Sequence, residues 1–207
     1  MSKSRSNIRR RRDHERDEFV RRARTEGYRS RASFKLIEMA DKYDLLRPGI
    51  RVVDLGAAPG GWSQVAASRV GERGAVIALD VLPMESLPGV TFIGGDFTGD
   101  ETMARLLDEI GSSSVDLVIS DMAPNLSGMK AIDQPRSTYL VELAIDLADR
   151  TLRKGGALVV KCFEGEGIDG VRAAMRERFG KVANFKPKSS RDKSREIYII
   201  GLTYNGK

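Results

Sequence analysis

Between residues 50 and 205 the apolar positions follow two alternating rhythms. Short β-branched runs occur at Ile50–Leu55, Ala75–Asp80, Val90–Ile93, Val115–Ser120 and Ala157–Lys161. Most of the intervals carry apolar residues at helical spacing: Gly61–Val70, Glu101–Ile110 and Tyr139–Leu152, the last with Leu140, Leu143, Ala144 and Leu147. Strand and helix in turn predict an α/β domain with a mostly parallel sheet and helices on both faces. Near the end, Gly170–Phe179 reads as helix and Lys181–Phe185 and Glu196–Thr203 as strands, which makes seven strands. Only the short loop "KPKSSRDKSR" separates these last two, so they pair antiparallel and close the sheet, because parallel neighbours need a longer crossover.

Upstream, His14–Arg24 and Ser33–Tyr43 have helical composition. Phe34, Ile37 and Leu45 continue the apolar stripe of the second, and Ser33 is its expected N-cap. The basic, glycine-containing link "EGYRSRASFKL" joins the two, and "RPG" at Arg47–Gly49 marks the entrance to the main domain. The expected organisation is a basic arm over residues 1–30, partly disordered and RNA-contacting, followed by one domain over 31–207.

Charge sharpens the division. Of the net +6 for 207 residues, residues 1–35 contribute +8, from thirteen Lys/Arg and five Asp/Glu, and the rest of the chain carries −2. An arm with "RRRR" at Arg9–Arg12 suits phosphate backbones, where neutralised phosphates release counterions. A solvated tail and an organelle transit peptide are the other readings. Asp13, Glu15, Asp17 and Glu18 directly behind the Arg/Ser-rich start, with no secretory apolar core, speak against targeting. No stretch is apolar enough for a membrane span. One cysteine, Cys162, and one histidine, His14, leave no intrachain disulfide and no zinc cage. Chemistry is therefore expected from carboxylates, lysines, backbone groups or an organic cofactor, with no metal.

The stretch "VVDLGAAPGGWSQVAA", Val52–Ala67, interrupts an apolar run with an acid, glycines, a proline and a tryptophan, where an α/β sheet brings ligands to its strand ends. It has neither the G-x-G-x-x-G of dinucleotide enzymes nor the G-x-x-x-x-G-K-[ST] of phosphate loops. Asp54 followed by "GAAPGG" better suits a cofactor with an amino-acid end, such as S-adenosylmethionine. Asp80, ending the second strand, is placed to accept ribose hydroxyls, and Asp96 in "GGDF" to accept an adenine amine. Asp121 after the fourth strand, Lys161 ending the fifth and Glu196 opening the last reach one crevice if the last strand runs antiparallel beside the fifth.

Together "GYRSRASFKL", "VVDLGAAPGGWSQ", "DVLPM", "GDF", "SDMAPNLSG", "VVKCFEG" and "SREIYI" closely resemble, in order, the blocks of the FtsJ family of heat-shock ribosomal RNA methyltransferases. The resemblance covers nearly the whole chain. It implies a Rossmann-like S-adenosylmethionine-dependent methyltransferase fold, with Lys35, Asp121, Lys161 and Glu196 as the catalytic set for methylating a ribose 2′ oxygen. Gly60, Trp62, Asp80, Asp96 and Asp121 would contact the cofactor. The implied substrate is a uridine in the aminoacyl-tRNA-binding loop of large-subunit (23S-type) ribosomal RNA, in the assembled or nearly assembled subunit. The implied protein is a cytoplasmic monomer without membrane contact.

A ribose hydroxyl needs alignment and loss of its proton before it attacks a methyl group. Lys161 is the candidate base. From a reference pKa of about 10.4, half-deprotonation near pH 8 takes about 3.3 kcal/mol. Asp121 opposes that shift, which leaves Lys161 as an orienting group as the second reading. Lys35 would hold the target phosphate or ribose, and Glu196 would orient Lys35 or accept from the ribose. Arg29, Arg31, Arg191 and Lys193 are candidate phosphate contacts. The competing functions are 2′-O-methylation of transfer RNA, a non-catalytic assembly factor that keeps the fold, and a nicotinamide oxidoreductase, which the absent fingerprint disfavours.

Overall fold

The computed structural model describes residues 18–124, 127–165, 167–191 and 194–206. A helix over 18–25 (α1) and α2 (Ser33–Tyr43) precede the sheet domain. There follow β1 (Arg51–Leu55), α3 (Gly61–Val70), β2 (Ala75–Asp80), β3 (Val90–Gly94), α4 (Asp100–Ile110), β4 (Val115–Ser120), α5 (Lys130–Thr151), β5 (Leu152–Phe163), α6 (Ile168–Arg178), β6 (Phe179–Phe185) and β7 (Glu196–Tyr204). The seven strands lie in the order β3-β2-β1-β4-β5-β7-β6. Every pairing is parallel except those of β7, which runs against both β5 and β6.

The central strands are mostly apolar because both faces are covered, with Asp54 of β1 a buried exception. Val53, Leu55, Val118 and Leu158 pack under α4, α5 and α6. Val52, Leu117, Ile119, Val159 and Ile200 pack under α2 and α3 with Trp62 and Tyr198. The mostly parallel sheet, the helices on both faces and the antiparallel last strand agree with the sequence.

Four local expectations change. Ser33 does not cap α2: Ala32 is the N-cap residue, and the buried Ser33 hydroxyl donates to Gly61 O at 3.0 Å instead. Helix α5 begins nine residues before the expected Tyr139 and contains Pro135. A proline in the first turns forfeits one backbone bond, and the turn before it is held by Asp133, whose carboxylate accepts from Ser127 N and Oγ and from Gly128 N. Strand β5 starts at Leu152, with a register slip against β4 before Ala157 where Gly155 takes φ 79°. Phe179 and Leu152, read as helix ends, are first residues of strands.

Residues 1–17, which carry most of the expected arm, lie outside the described residues. Residues 18–30 pack on α2: the Phe19 and Tyr28 rings lie 5.6 and 5.5 Å from Phe34, and the Arg22 guanidinium sits 4.4 Å over the Phe34 ring. Ala23 is buried beside them.

Strand β7 tolerates little bulk where α6 crosses it. A Cβ on Gly201 would sit 2.6 Å from the Phe179 ring and 2.8 Å from Met175 Cε. Gly201→Ala is expected to cost about 1–3 kcal/mol, read as a lower urea midpoint with an unchanged slope.

Candidate active site

The carboxyl edge of the sheet gathers charge because β7 arrives from the opposite direction. In the β5/β7 ladder Lys161 faces Tyr198 and Phe163 faces Glu196, so the first residues of β7 meet the last of β5. Asp121 leaves β4 at the same edge, its N–H donating to Leu55 O at 3.2 Å. Lys35 reaches in from the first turns of α2.

These side chains form one hydrogen-bonded chain. Lys161 Nζ lies 3.0 Å from Asp121 Oδ1 and also donates to Asp121 O. The Tyr198 hydroxyl donates to the same Oδ1 at 2.6 Å and accepts from Lys35 Nζ at 3.3 Å. Lys35 Nζ is 2.7 Å from Glu196 Oε1. All four residues expected to be catalytic are thus brought together, through a tyrosine the sequence analysis did not single out. Its signal was available: Tyr198 lies two residues beyond Glu196 on a strand and so shares its face.

Burial sets the protonation states. Tyr198 is fully buried, and burial together with the charges of Asp121 and Glu196 raises its hydroxyl well above the ordinary range, so it stays a donor. Burial pushes Glu196 up, but the hydrogen bond and charge of Lys35 outweigh it, and the net shift is downward.

A cleft of about 310 Å³ opens beside this chain, lined among others by Gly56, Asp80, Leu82, Asp96, Phe97 and Asp121. Asp80 ties its rim: its two oxygens accept from Ala58 N and Leu82 N, both at 2.8 Å. Asp96 is exposed, and hydrogen bonds from Thr98 N and Oγ1 lower its pKa. Val81 and Leu82, 65 and 61 % exposed, supply an apolar wall. Asp121 belongs both to the cleft and to the charged chain.

Gly60 and Trp62 do not line the cleft. The Trp62 indole is buried, 5.7 Å from the Tyr198 ring, and donates to Ala32 O at 2.8 Å. Gly60 holds φ 103°, and a Cβ there would lie 2.9 Å from Arg29 Nη1. Contact from either to a ligand is left to main-chain groups. Arg29 and Arg31, expected to meet phosphates, turn inward. Arg29 donates to the carbonyls of Pro59, Glu85 and Ser86, and Arg31 to Ser189 O, because these loop carbonyls have no strand or helix partner. Arg191 remains exposed, and Lys193 lies outside the described residues.

Asp54 is fully buried on β1. Ser63 Oγ donates to its Oδ2 at 2.6 Å, while Oδ1 has no partner. Burial, with the charges of Asp121 and Asp80, raises its pKa to about 7. A buried, half-satisfied carboxyl beside a cleft with three further acids, Asp80, Asp96 and Asp121, fits a ligand carrying positive charge and hydroxyls. The cleft thus suits S-adenosylmethionine, with acids for its polar parts and Val81, Leu82 and Phe97 for its ring. Among the described residues no group of three His, Cys, Asp or Glu side chains could hold a metal ion, and no helix is long and apolar enough to cross a membrane. Cys162 is buried and its thiol is pushed up to about 12.

Comparison with known proteins supplies independent findings. Residues 28–204 match the model of the FtsJ-like methyltransferases. The chain is 55% identical, over the full length of both, to proteins named ribosomal RNA large subunit methyltransferase E from Pseudomonas paraeruginosa and Pseudomonas aeruginosa. Among solved structures, a Plasmodium falciparum chain described as a ribosomal RNA methyltransferase aligns with TM-score 0.79 at 29% identity, covering 87% of this chain and all of that one. A Methanococcus jannaschii fibrillarin shares the fold, with TM-score 0.56 at 16% identity over 79% of this chain and 70% of its own.

The Asp54 shift has a sign. A carboxyl raised from 3.8 to about 7 contributes stability that is complete below pH 4 and is lost as pH climbs to 7. Charging it costs the ligand-free fold at most about 4 kcal/mol. Asp54→Asn, which cannot ionise, is expected to gain on the parent from pH 5 to about pH 7 and then to hold a constant lead in urea denaturation without added ligand. A constant difference already from pH 5 upward would remove the assignment.

Proposed function

Since the chain belongs to the FtsJ-like methyltransferase family, we propose that it methylates the ribose 2′ oxygen of one uridine in the aminoacyl-tRNA-binding loop of large-subunit ribosomal RNA. S-adenosylmethionine would be the donor and the assembled or nearly assembled subunit the substrate. The observation that carries this reading is the chain Lys161–Asp121–Tyr198–Lys35–Glu196 beside a cleft that shares Asp121. Two lysines held by two carboxylates suit an oxygen nucleophile that must be aligned and stabilised.

S-adenosylmethionine, when bound, supplies an electrophilic methyl group. Asp80 would accept from its ribose hydroxyls and Asp96 from its adenine amine, while Gly60 and Trp62 contribute main-chain groups. Of the three protons on the Lys161 ammonium, Asp121 takes two, through its main-chain O and Oδ1, which leaves one for the target 2′ oxygen. Lys161 thereby orients that oxygen and stabilises the charge that develops there, the hydroxyl proton passing to solvent once the methyl group has moved to the oxygen. This favours the orienting role over the base. Lys35, fixed between Glu196 and Tyr198, offers a cation to the ribose or its phosphate. Arg191 and residues 1–17 would meet the RNA backbone.

The deciding experiment offers labelled S-adenosylmethionine with undermethylated large subunits, free large-subunit RNA or bulk transfer RNA, and maps the 2′-O-methyl position. Label at one uridine, strongest with subunits, is expected; label confined to transfer RNA would overturn the substrate. Lys161→Ala is expected to abolish turnover while the folded state and cofactor binding persist, with some loss of stability from the unpaired Asp121. Tyr198→Phe keeps the ring against Trp62 and removes the hydroxyl, so kcat should fall about tenfold with little change in cofactor KM.

A further inference from the structure

We propose that Arg29 is a positioning residue for the cofactor cleft: it straps the basic link preceding α2 to the glycine turn after β1 and to the loop after β2. The inference rests on reading that cleft as the S-adenosylmethionine site.

The strap has three donor contacts and a fixed base. Arg29 Nη1 donates to Pro59 O at 3.3 Å and to Glu85 O at 2.7 Å, and Nη2 to Ser86 O at 2.9 Å. Only a planar fork with several donors spans carbonyls of two separate loops in this way. The main chain at 29 is held in turn, because Arg29 N donates to Gln64 Oε1 at 3.1 Å and Gln64 Nε2 to Gly27 O at 2.8 Å. Gln64 lies on α3, so the link is fastened to the helix that follows the glycine turn. The guanidinium side chain is 21 % exposed, and its nearest carboxylate, Glu85, is 94 % exposed at 3.9 Å, a pair that surface screening makes weak.

Both carbonyl sets lie on loops whose neighbouring residues, Ala58 and Asp80–Leu82, line the cleft. Residues 80–82 line it, and Asp80 pins the near end of the loop after β2 through Leu82 N. The far end, at Glu85 and Ser86, has no regular secondary structure and is held by Arg29. The glycine turn is fixed on its cleft side by Asp80 through Ala58 N and on its outer side by Arg29 through Pro59 O. Gly60 leaves the room, since a Cβ there would stand 2.9 Å from Arg29 Nη1. A residue whose charge suggests RNA is thus engaged with the cofactor side of the enzyme. Releasing it would free the Val81–Leu82 wall to sample open states, and the ligand would have to pay for reordering it.

The test compares the parent with Arg29→Met, which keeps the stem, Arg29→Lys, which keeps the charge but loses the fork, and Gln64→Ala, which cuts the strap at its base. Three quantities are measured on the full chain: S-adenosylmethionine affinity by calorimetry without RNA, amide exchange of residues 81–88, and large-subunit affinity against salt. Both Arg29 variants are expected to bind S-adenosylmethionine about tenfold more weakly and to exchange faster at 81–88, with subunit affinity and salt slope as in the parent. Gln64→Ala should shift in the same direction by about threefold. Unchanged cofactor affinity with weaker, less salt-dependent subunit binding in Arg29→Met, restored in Arg29→Lys, would overturn the inference and make Arg29 a phosphate contact. A parent chain that binds no S-adenosylmethionine would overturn the cofactor reading first and this inference with it.

Discussion

A strand that runs against its neighbours delivers its first residue where they deliver their last, and β7 does this between β5 and β6. In an all-parallel arrangement Glu196 and Tyr198 would open their strand at the far end of the sheet, away from Asp121 and Lys161. Antiparallel insertion instead sets Tyr198 across from Lys161 in register. The ladder register thus fixes the spacing of Lys161, Tyr198 and Glu196, and Asp121 joins them directly after the end of β4.

Two ion pairs at this edge, Lys161–Asp121 and Lys35–Glu196, are largely withdrawn from water. Pairs of this kind repay their desolvation only with good geometry and extra hydrogen bonds. Tyr198 supplies these to both at once, donating to one carboxylate and accepting from the other pair's amine. Trp62 backs its ring, and the Trp62 N–H is satisfied by the carbonyl preceding α2. The glycine turn, α2 and β7 therefore meet around a single phenol. Asp54 is the opposite case: half-satisfied and buried, it costs the fold stability where a cationic ligand would restore it.

Strands β1 to β4 and helices α3 and α4 were legible to within a residue or so, because their apolar patterns are bounded by glycine, proline or acid. Elements shaped by side-chain bonds to loops were not. Asp133 extends α5 upstream past Pro135, and no local pattern announces that contact. The convergence of Asp121, Lys161 and Glu196 followed from strand direction, whereas Lys35, on α2, was implied only by the family resemblance. Tyr198 escaped notice because an aromatic in an apolar strand reads as core, and Trp62 and Gly60 read as ligand contacts although their side-chain positions serve packing. The arginines misled for a simple reason: composition counts their charge but says nothing of unpaired carbonyls nearby.

Cys162 is the chain's one thiol and the immediate neighbour of Lys161 on β5. Burial pushes its thiol far above the ordinary range, so the reactive thiolate is scarce at neutral pH, and the sulfur is packed among residues of α5 and α6. Labelling must wait for the strand edge to part from those helices. The sulfur is therefore a built-in clock: its reaction rate with a small disulfide reagent counts openings of the very segment that carries the amine, with no engineered probe.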